Sequence, residues 1–248
     1  MMTLSEKLEA AYDFWRPNRW GLKKYLLSDG KTHPFAVVCP GGGYSMVCSY
    51  VEGLPFAKAL NAKGYHAIVV YYRVKRKALY PAPQDDLMQA IREIFAHAAE
   101  WELDTDNWSL WGSSAGGHLA ASFCTEHRVV PQPNALILTY PVVIMDEHTH
   151  KDTRKYHVGE QPDPILFEKL SVNLHITKDF PPTYVWNGTD DRSVDPQNSR
   201  ALAQALQEAG VPYLHEEFEG VGHGVGLAKG TNAESWFDHA ISFWEEQA

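Results

Sequence analysis

An apolar run, Trp108-Ser109-Leu110-Trp111, passes into an alanine-rich, helix-forming run, Gly117-His118-Leu119-Ala120-Ala121, through Gly112-Ser113-Ser114-Ala115-Gly116. A strand that turns directly into a helix strains the residue at the bend and pushes its side chain into the open. Glycines two positions to either side leave room for the turn. The pattern predicts Ser114 as a nucleophile at the top of a sheet. Its backbone would lie at a helix N-terminus, where free N–H groups and the helix dipole favour developing negative charge. G-x-S-x-G also occurs in ordinary loops. The reading therefore needs a base, an acid to orient it and an oxyanion hole elsewhere in the chain.

Taken in order, residues 5–15 predict a short amphipathic helix with Leu8, Ala11 and Trp15 on one side, broken by Pro17, and 20–27 an edge strand. Phe35-Ala36-Val37-Val38-Cys39 has the unbroken apolar character of a strand buried on both faces, and Pro40-Gly41-Gly42-Gly43-Tyr44 follows it. Glycines placed there let the backbone approach a ligand and turn N–H groups inward. Neither G-x-G-x-x-G nor a phosphate-loop lysine is present. A helix is expected over 51–63, a strand over 66–72 and a long helix over 84–101, with Asp85 and Asp86 in its first turn serving the helix dipole. A core strand over 135–140 ends at Pro141, and 183–186 and 212–218 are further strands. Helices begin at Asp195-Pro196 and near Trp236. Residues 146–180 have no strong period and carry His148, His150, His157 and His175, whose spacing matches no metal site; they are expected to be solvated or local. That long polar stretch reads as a lid or pocket wall.

Strands alternating with helices predict an α/β fold, with a mostly parallel central sheet and helices on both faces, over 1–248 as one domain. Right-handed crossovers bring the C-terminal ends of parallel strands to one rim. The glycine loop, Ser114, Asp191 and the Gly222-His223-Gly224 loop all follow strands, so all four converge there. A serine hydroxyl needs a base to take its proton, and a histidine base needs a carboxylate to fix its tautomer. Ser114, Asp191 and His223 are the candidates, in an order that hydrolases of this architecture use. Asp191 is preferred over Asp190, which is assigned to accept turn N–H groups. Gly42, Gly43 and Ala115 are the expected oxyanion-hole donors. Tyr44, Tyr72, Tyr140 and Trp186 lie beside strand ends, and Tyr44 and Trp186 are taken as substrate-binding.

The composition narrows the function classes. A net charge of −9 and the lack of a basic stripe argue against nucleic acid or an anionic membrane as partner. Three scattered cysteines with no metal spacing read as reduced thiols, and no apolar run reaches spanning length. The cytoplasm is the expected compartment, the partner a small-molecule ester, and neither metal nor organic cofactor is called for. The sequence leaves oligomeric state open, a homo-oligomer included.

The stretches Pro40-Gly41-Gly42-Gly43-Tyr44, Tyr72-Arg73, Tyr80-Pro81-Ala82-Pro83 with Asp86, Gly112 to Leu119, Asp190-Asp191 and Gly222-His223-Gly224 together resemble the α/β-hydrolase fold esterase/lipase family. Within it the chain is most similar to bacterial acetyl-xylan-esterase-like (BD-FAE-like) serine esterases, some of which carry xylanase names. It departs from the hormone-sensitive-lipase group in having Pro40 where many of those proteins have histidine. The resemblance implies removal of acetyl groups from small acetylated sugars or xylo-oligosaccharides. Peptidases of the same fold and non-catalytic binding proteins are the competing classes. The chain shows no propeller-like domain of the kind that admits peptides, and no triad position is lost.

Overall fold

A computed structural model describes residues 20–126, 131–146, 149–160 and 164–248. The helix expected over 5–15 lies outside them. Seven strands form one sheet: β1 (Gly21–Tyr25), β2 (His33–Cys39), β3 (His66–Tyr71), β4 (Leu103–Ser113), β5 (Ala135–Thr139), β6 (Thr183–Gly188) and β7 (Tyr213–Phe218). Their order across the sheet is β1-β3-β2-β4-β5-β6-β7. Only the edge strand β1 runs antiparallel to its neighbour; every other pairing is parallel.

Side chains alternate across this sheet because strand residues point to opposite faces in turn. Phe35, Val37 and Cys39 of β2 face one core with Leu136 and Leu138 of β5; Ala36, Val38, Ala135 and Ile137 face the other. Helices α2 (Ala82–Ala96), α3 (Ser114–Glu126) and α5 (Gln197–Ala209) cover the first face, and α1 (Leu54–Ala62) and α6 (Trp236–Glu245) the second. Each fully buried Val, Leu, Ile or Phe removed from water contributes about 1.5–3 kcal/mol. The continuous apolar runs of β2, β3 and β5 are thus what pins them at the centre.

Several boundaries moved. The helix expected to start at 51 begins at Leu54, with Pro55 in its first turn, and a wide turn over Ser49–Gly53 precedes it. Proline is tolerated there because the first helical N–H groups have no partner anyway. The long helix ends at Ala96 instead of 101: His97 stacks on Trp101, and Glu102 at φ +55° turns the chain into β4. Because the helix begins at Ala82, only Asp85 lies in its first turn; Asp86, just beyond it, is buried against Arg73 and accepts from the Arg73 N–H and the guanidinium, so its role is an ion pair with a residue just after β3. The described residues of 146–180 include several short helical pieces, among them α4 (Pro164–Leu170). Val158 and Leu170 pack with Val142, Met145 and Val194 in a small core of their own.

The register sets the site. Cys39 pairs with Gly112, Ser113 with Thr139, and Thr139 with Trp186. The loops after β2, β4, β5, β6 and β7 therefore leave from one rim.

Candidate active site

Ser114 is the first residue of α3, directly after Ser113 ends β4, and its φ is +52°. A left-handed backbone on a non-glycine residue costs on the order of 1–3 kcal/mol, and tight packing keeps it. A methyl on Gly112 would lie 2.5 Å from the Gly116 carbonyl oxygen, and one on Gly116 would lie 2.1 Å from the Cys39 carbonyl oxygen. The two flanking glycines are where the start of α3 crosses β4 and β2 at van der Waals limit.

The His223 Nε2 lies 2.8 Å from Ser114 Oγ, and its Nδ1 lies 2.6 Å from Asp191 Oδ2. Asp191 Oδ1 accepts the N–H groups of Ser193 and Val194, each at 2.9 Å. Ser114 and Asp191 are buried, while His223 keeps 18% of its side chain exposed. A carboxylate so held donates nothing and accepts from Nδ1–H, which leaves Nε2 free to accept from the serine hydroxyl. Asp190 is exposed, and among the described residues its carboxylate reaches only the Thr189 hydroxyl at 3.5 Å. The turn N–H groups assigned to Asp190 bond Asp191 instead. One buried carboxylate both closes the turn and holds the histidine, because its two oxygens face opposite ways.

Asp191→Asn is expected to lower kcat/KM on p-nitrophenyl acetate by about 10⁴-fold, since the amide presents the wrong tautomer to His223. Asp190→Asn should stay within a few-fold of wild type. Parallel kinetics on the two variants check it, and the reverse ranking would exchange their roles.

The glycine loop lies against the serine. A methyl on Gly41 would sit 2.8 Å from Ser114 Cβ and 2.8 Å from the Ser113 carbonyl oxygen. The Gly41 N–H itself is taken by Glu52 Oε2 at 2.7 Å. Gly42 and Gly43, at φ +123° and +61°, donate to no described residue, and the Gly42 carbonyl accepts from Ser45 and Met46. Ala115 stands in the first turn of α3, where N–H groups have no intrahelical acceptor. The Gly42 and Gly43 N–H groups thus have no acceptor among the described residues, and the Ala115 N–H has none within its helix.

Tyr44 and Trp186 do not present a face to a ligand. Both are fully buried. Tyr44 stacks flat on His157, with centroids 4.1 Å apart, and its hydroxyl bonds His118 Nδ1 at 2.9 Å. Trp186 lies on the opposite side of the sheet among Trp236, Phe218 and Tyr140. Their rings fill cores because the strand ends they occupy are covered by helices on both faces. Tyr72 is likewise buried, its hydroxyl donating to the Pro40 carbonyl at 2.5 Å. Tyr140 alone of the four reaches the site, meeting the His223 ring edge to face at 4.8 Å between centroids.

The histidines of the long polar stretch part company. His157 is buried, donating from Nδ1 to the Ala78 carbonyl and accepting from Gln84 at Nε2; burial pushes its pKa down to about 3. His118 on α3, fully buried, is likewise pushed down to about 4 by burial. His150 is half-buried against the glycine loop: a methyl on Gly43 would lie 2.9 Å from its Cε1. It borders a 290 Å³ cavity lined in part by Thr149, Ser193, Asp195 and Gln197. His175 remains near the surface, bonded to the Glu168 carbonyl, and His148 lies outside the described residues. The described part of the stretch is tied to α3, with His118 Nε2 donating to the Leu170 carbonyl at 2.8 Å, and to the glycine loop through His150. Sequence reasoning grouped His150 with histidines expected to be solvated or local and gave Glu52 no place, since neither carries a local pattern that separates it from its neighbours.

Burial and Glu52 raise the Cys48 thiol to about 11, and burial raises Cys39 and Cys124 further, so none of the three competes as a nucleophile at neutral pH. Among the described residues no group of three or more His, Cys, Asp or Glu side chains is placed to hold a metal, and no helix is long and apolar enough to cross a membrane.

The family model that matches this chain is BD-FAE, over residues 25–206. The chain belongs to the BD-FAE family. The matched span holds the glycine loop, Ser114 and Asp191, while His223 lies beyond it. An acetylxylan esterase of Xylanibacter ruminicola is 31% identical over 81% of this chain and 41% of its own length. Endo-1,4-beta-xylanase B of Butyrivibrio fibrisolvens is 29% identical over 92% of this chain and 37% of its own. The chain thus spans about two fifths of the length of these curated relatives. Among solved structures, an acetyl ester-xyloside bifunctional hydrolase from Caldicellulosiruptor lactoaceticus superposes with a TM-score of 0.85 at 32% identity, covering 93% of this chain and 89% of that one. A carboxylesterase from Lactobacillus plantarum superposes at 0.78 with 25% identity, over 91% and 92% of the two chains. The fold is that of an α/β-hydrolase.

Proposed function

We propose that this protein is a serine carboxylesterase that removes short acyl groups, acetyl above all, from acetylated sugars or xylo-oligosaccharides. The observation that carries the reading is the unbroken hydrogen-bond chain from Asp191 through His223 to Ser114 Oγ, with the Gly42, Gly43 and Ala115 N–H groups as the proposed oxyanion donors beside it. The acetyl-ester and acetylxylan relatives support the choice of substrate. Ser114 Oγ attacks the ester carbonyl as His223 Nε2 takes its proton, and Asp191 stabilises the imidazolium. The oxyanion that forms is met by backbone N–H groups; one such donor is worth about 3–4 kcal/mol of transition-state stabilisation. Collapse expels the alcohol with the proton from His223 and leaves an acyl-serine. Water, deprotonated by the same histidine, then releases the acid.

One α/β domain contains the machinery, and 146–180 serves as a pocket wall. The three free cysteines, Cys39 and Cys124 buried and Cys48 partly so, suit a reducing compartment, so we place the enzyme in the cytoplasm, acting on small oligosaccharides. The test is hydrolysis of p-nitrophenyl acetate, butyrate and octanoate, followed by acetate release from acetylated xylo-oligosaccharides. Turnover is expected to fall steeply with acyl length, and free acetate to appear from the sugar. Preference for octanoate, or no acetate release, would overturn the acetyl-sugar assignment.

A further inference from the structure

Below the rim lies a carboxylate that the ester chemistry does not consume. Glu52, in the Ser49–Gly53 turn, is 3% exposed. Its Oε2 accepts the Gly41 N–H at 2.7 Å and its Oε1 accepts the Tyr140 hydroxyl at 2.8 Å. Each donor belongs to a different half of the site. Gly41 opens the glycine loop and presses on Ser114. The Tyr140 ring backs the His223 ring, and its oxygen accepts the Gly226 N–H at 3.1 Å. Gly226 follows His223 by three residues in the same loop. That loop also packs on the Glu52 turn directly: a methyl on Gly226 would lie 2.8 Å from the Val51 carbonyl oxygen.

Burying a carboxylate costs several kcal/mol unless its oxygens are satisfied and a countercharge is near. Burial does raise the Glu52 pKa, and the Gly41 N–H, the Tyr140 hydroxyl and the nearby His223 oppose that rise. Tyr140 within the network and Ser114 beside Gly41 both sit in strained backbone, at φ +39° and +52°. Such conformations persist only where the surroundings over-determine them. A neutral apolar side chain would fill the same space and hold neither loop.

We propose that Glu52 is a positioning residue for the reaction. It ties the oxyanion loop, through Gly41, to the histidine loop, through Tyr140 and Gly226, so that both keep register on either side of Ser114. The inference rests on the esterase reading.

The test uses Glu52→Gln, Tyr140→Phe and the double variant, with Ser114→Ala alongside. Competent sites are counted by titration with a p-nitrophenyl phosphonate, which releases one p-nitrophenolate for each serine it phosphonylates. Misplacing reacting groups by about an ångström costs on the order of a hundredfold. Each single variant should lower kcat per titrated site by about 10- to 100-fold with KM within about threefold, and the double variant should be no slower than the slower single one. Wild-type turnover per titrated site would overturn the proposal even if fewer sites titrate, because a structural role alone removes sites without slowing those that remain. Should Glu52→Gln not fold, Tyr140→Phe, which removes one hydroxyl and keeps the ring on His223, decides by the same criterion. Activity retained in Ser114→Ala would strike the esterase reading itself, and is read separately.

Discussion

Ser114→Ala is expected to lower kcat/KM on p-nitrophenyl acetate by about 10⁶-fold while the protein stays folded. In the proposed mechanism this hydroxyl forms the covalent bond, and it lies 2.8 Å from His223 Nε2, the proposed base. Without it His223 and Asp191 keep their geometry and have nothing to deprotonate except water, so the residual rate reflects the oxyanion hole and binding alone. Stability should barely move. Alanine keeps the Cβ that the elbow has already accommodated. The lost bond is to a histidine nitrogen on a partly exposed side chain, which water satisfies. Steady-state kinetics with a thermal melt check both halves. A variant with wild-type turnover would move the chemistry to another residue.

Gly116→Ala is the second large effect, and it acts on the fold. The added methyl would lie 2.1 Å from the Cys39 carbonyl oxygen and 2.5 Å from that of Pro40. Both are backbone atoms, one closing the central strand β2 and one opening the glycine loop. Neither can rotate aside as a side chain would, so α3 and β2 must separate by about an ångström to reach ordinary contact. Overpacking of this kind costs about 3 kcal/mol or more. In a protein of this length each kcal/mol is roughly 2–4 °C, so Tm should drop by about 6–12 °C. Surviving protein should also be about a hundredfold slower, because the same separation carries Gly42 and Gly43 away from Ser114. Gly21→Ala is the control: a methyl there has no atom within 4 Å, and Tm should hold. Equal melts for the two variants would show that the elbow is looser than its contacts imply.

The outcome at particular residues shows where sequence reasoning works. Phe35 to Cys39, His66 to Tyr71 and Ala135 to Thr139 were legible as central strands because burial on both faces leaves an unbroken apolar run. The glycines around Ser114 were legible because only they allow the backbone to cross so closely. Aromatic residues at strand ends were read poorly. Tyr44 and Trp186 look alike in the chain, next to loops that meet at the rim, yet both point into cores. A ring is as well suited to packing as to stacking on a sugar, and position along the strand does not distinguish the two. His157, expected to be solvated or local, lies in the core with Gln84 and Ala78 bonded to its two nitrogens; nothing in its spacing distinguishes the two outcomes.

The sequence by itself determined the alternation of strands and helices, the elbow at Ser114 and the order in which Ser114, Asp191 and His223 arrive, because periodicity, glycine placement and strand-end position are local properties. Only the tertiary structure decided which of two adjacent aspartates faces the histidine, that Glu52 bonds both Gly41 and Tyr140, and that His150 stands against Gly43. Those are contacts between residues tens of positions apart. They depend on the turn of a backbone and the rotamer of a side chain, and neither leaves a period in the chain.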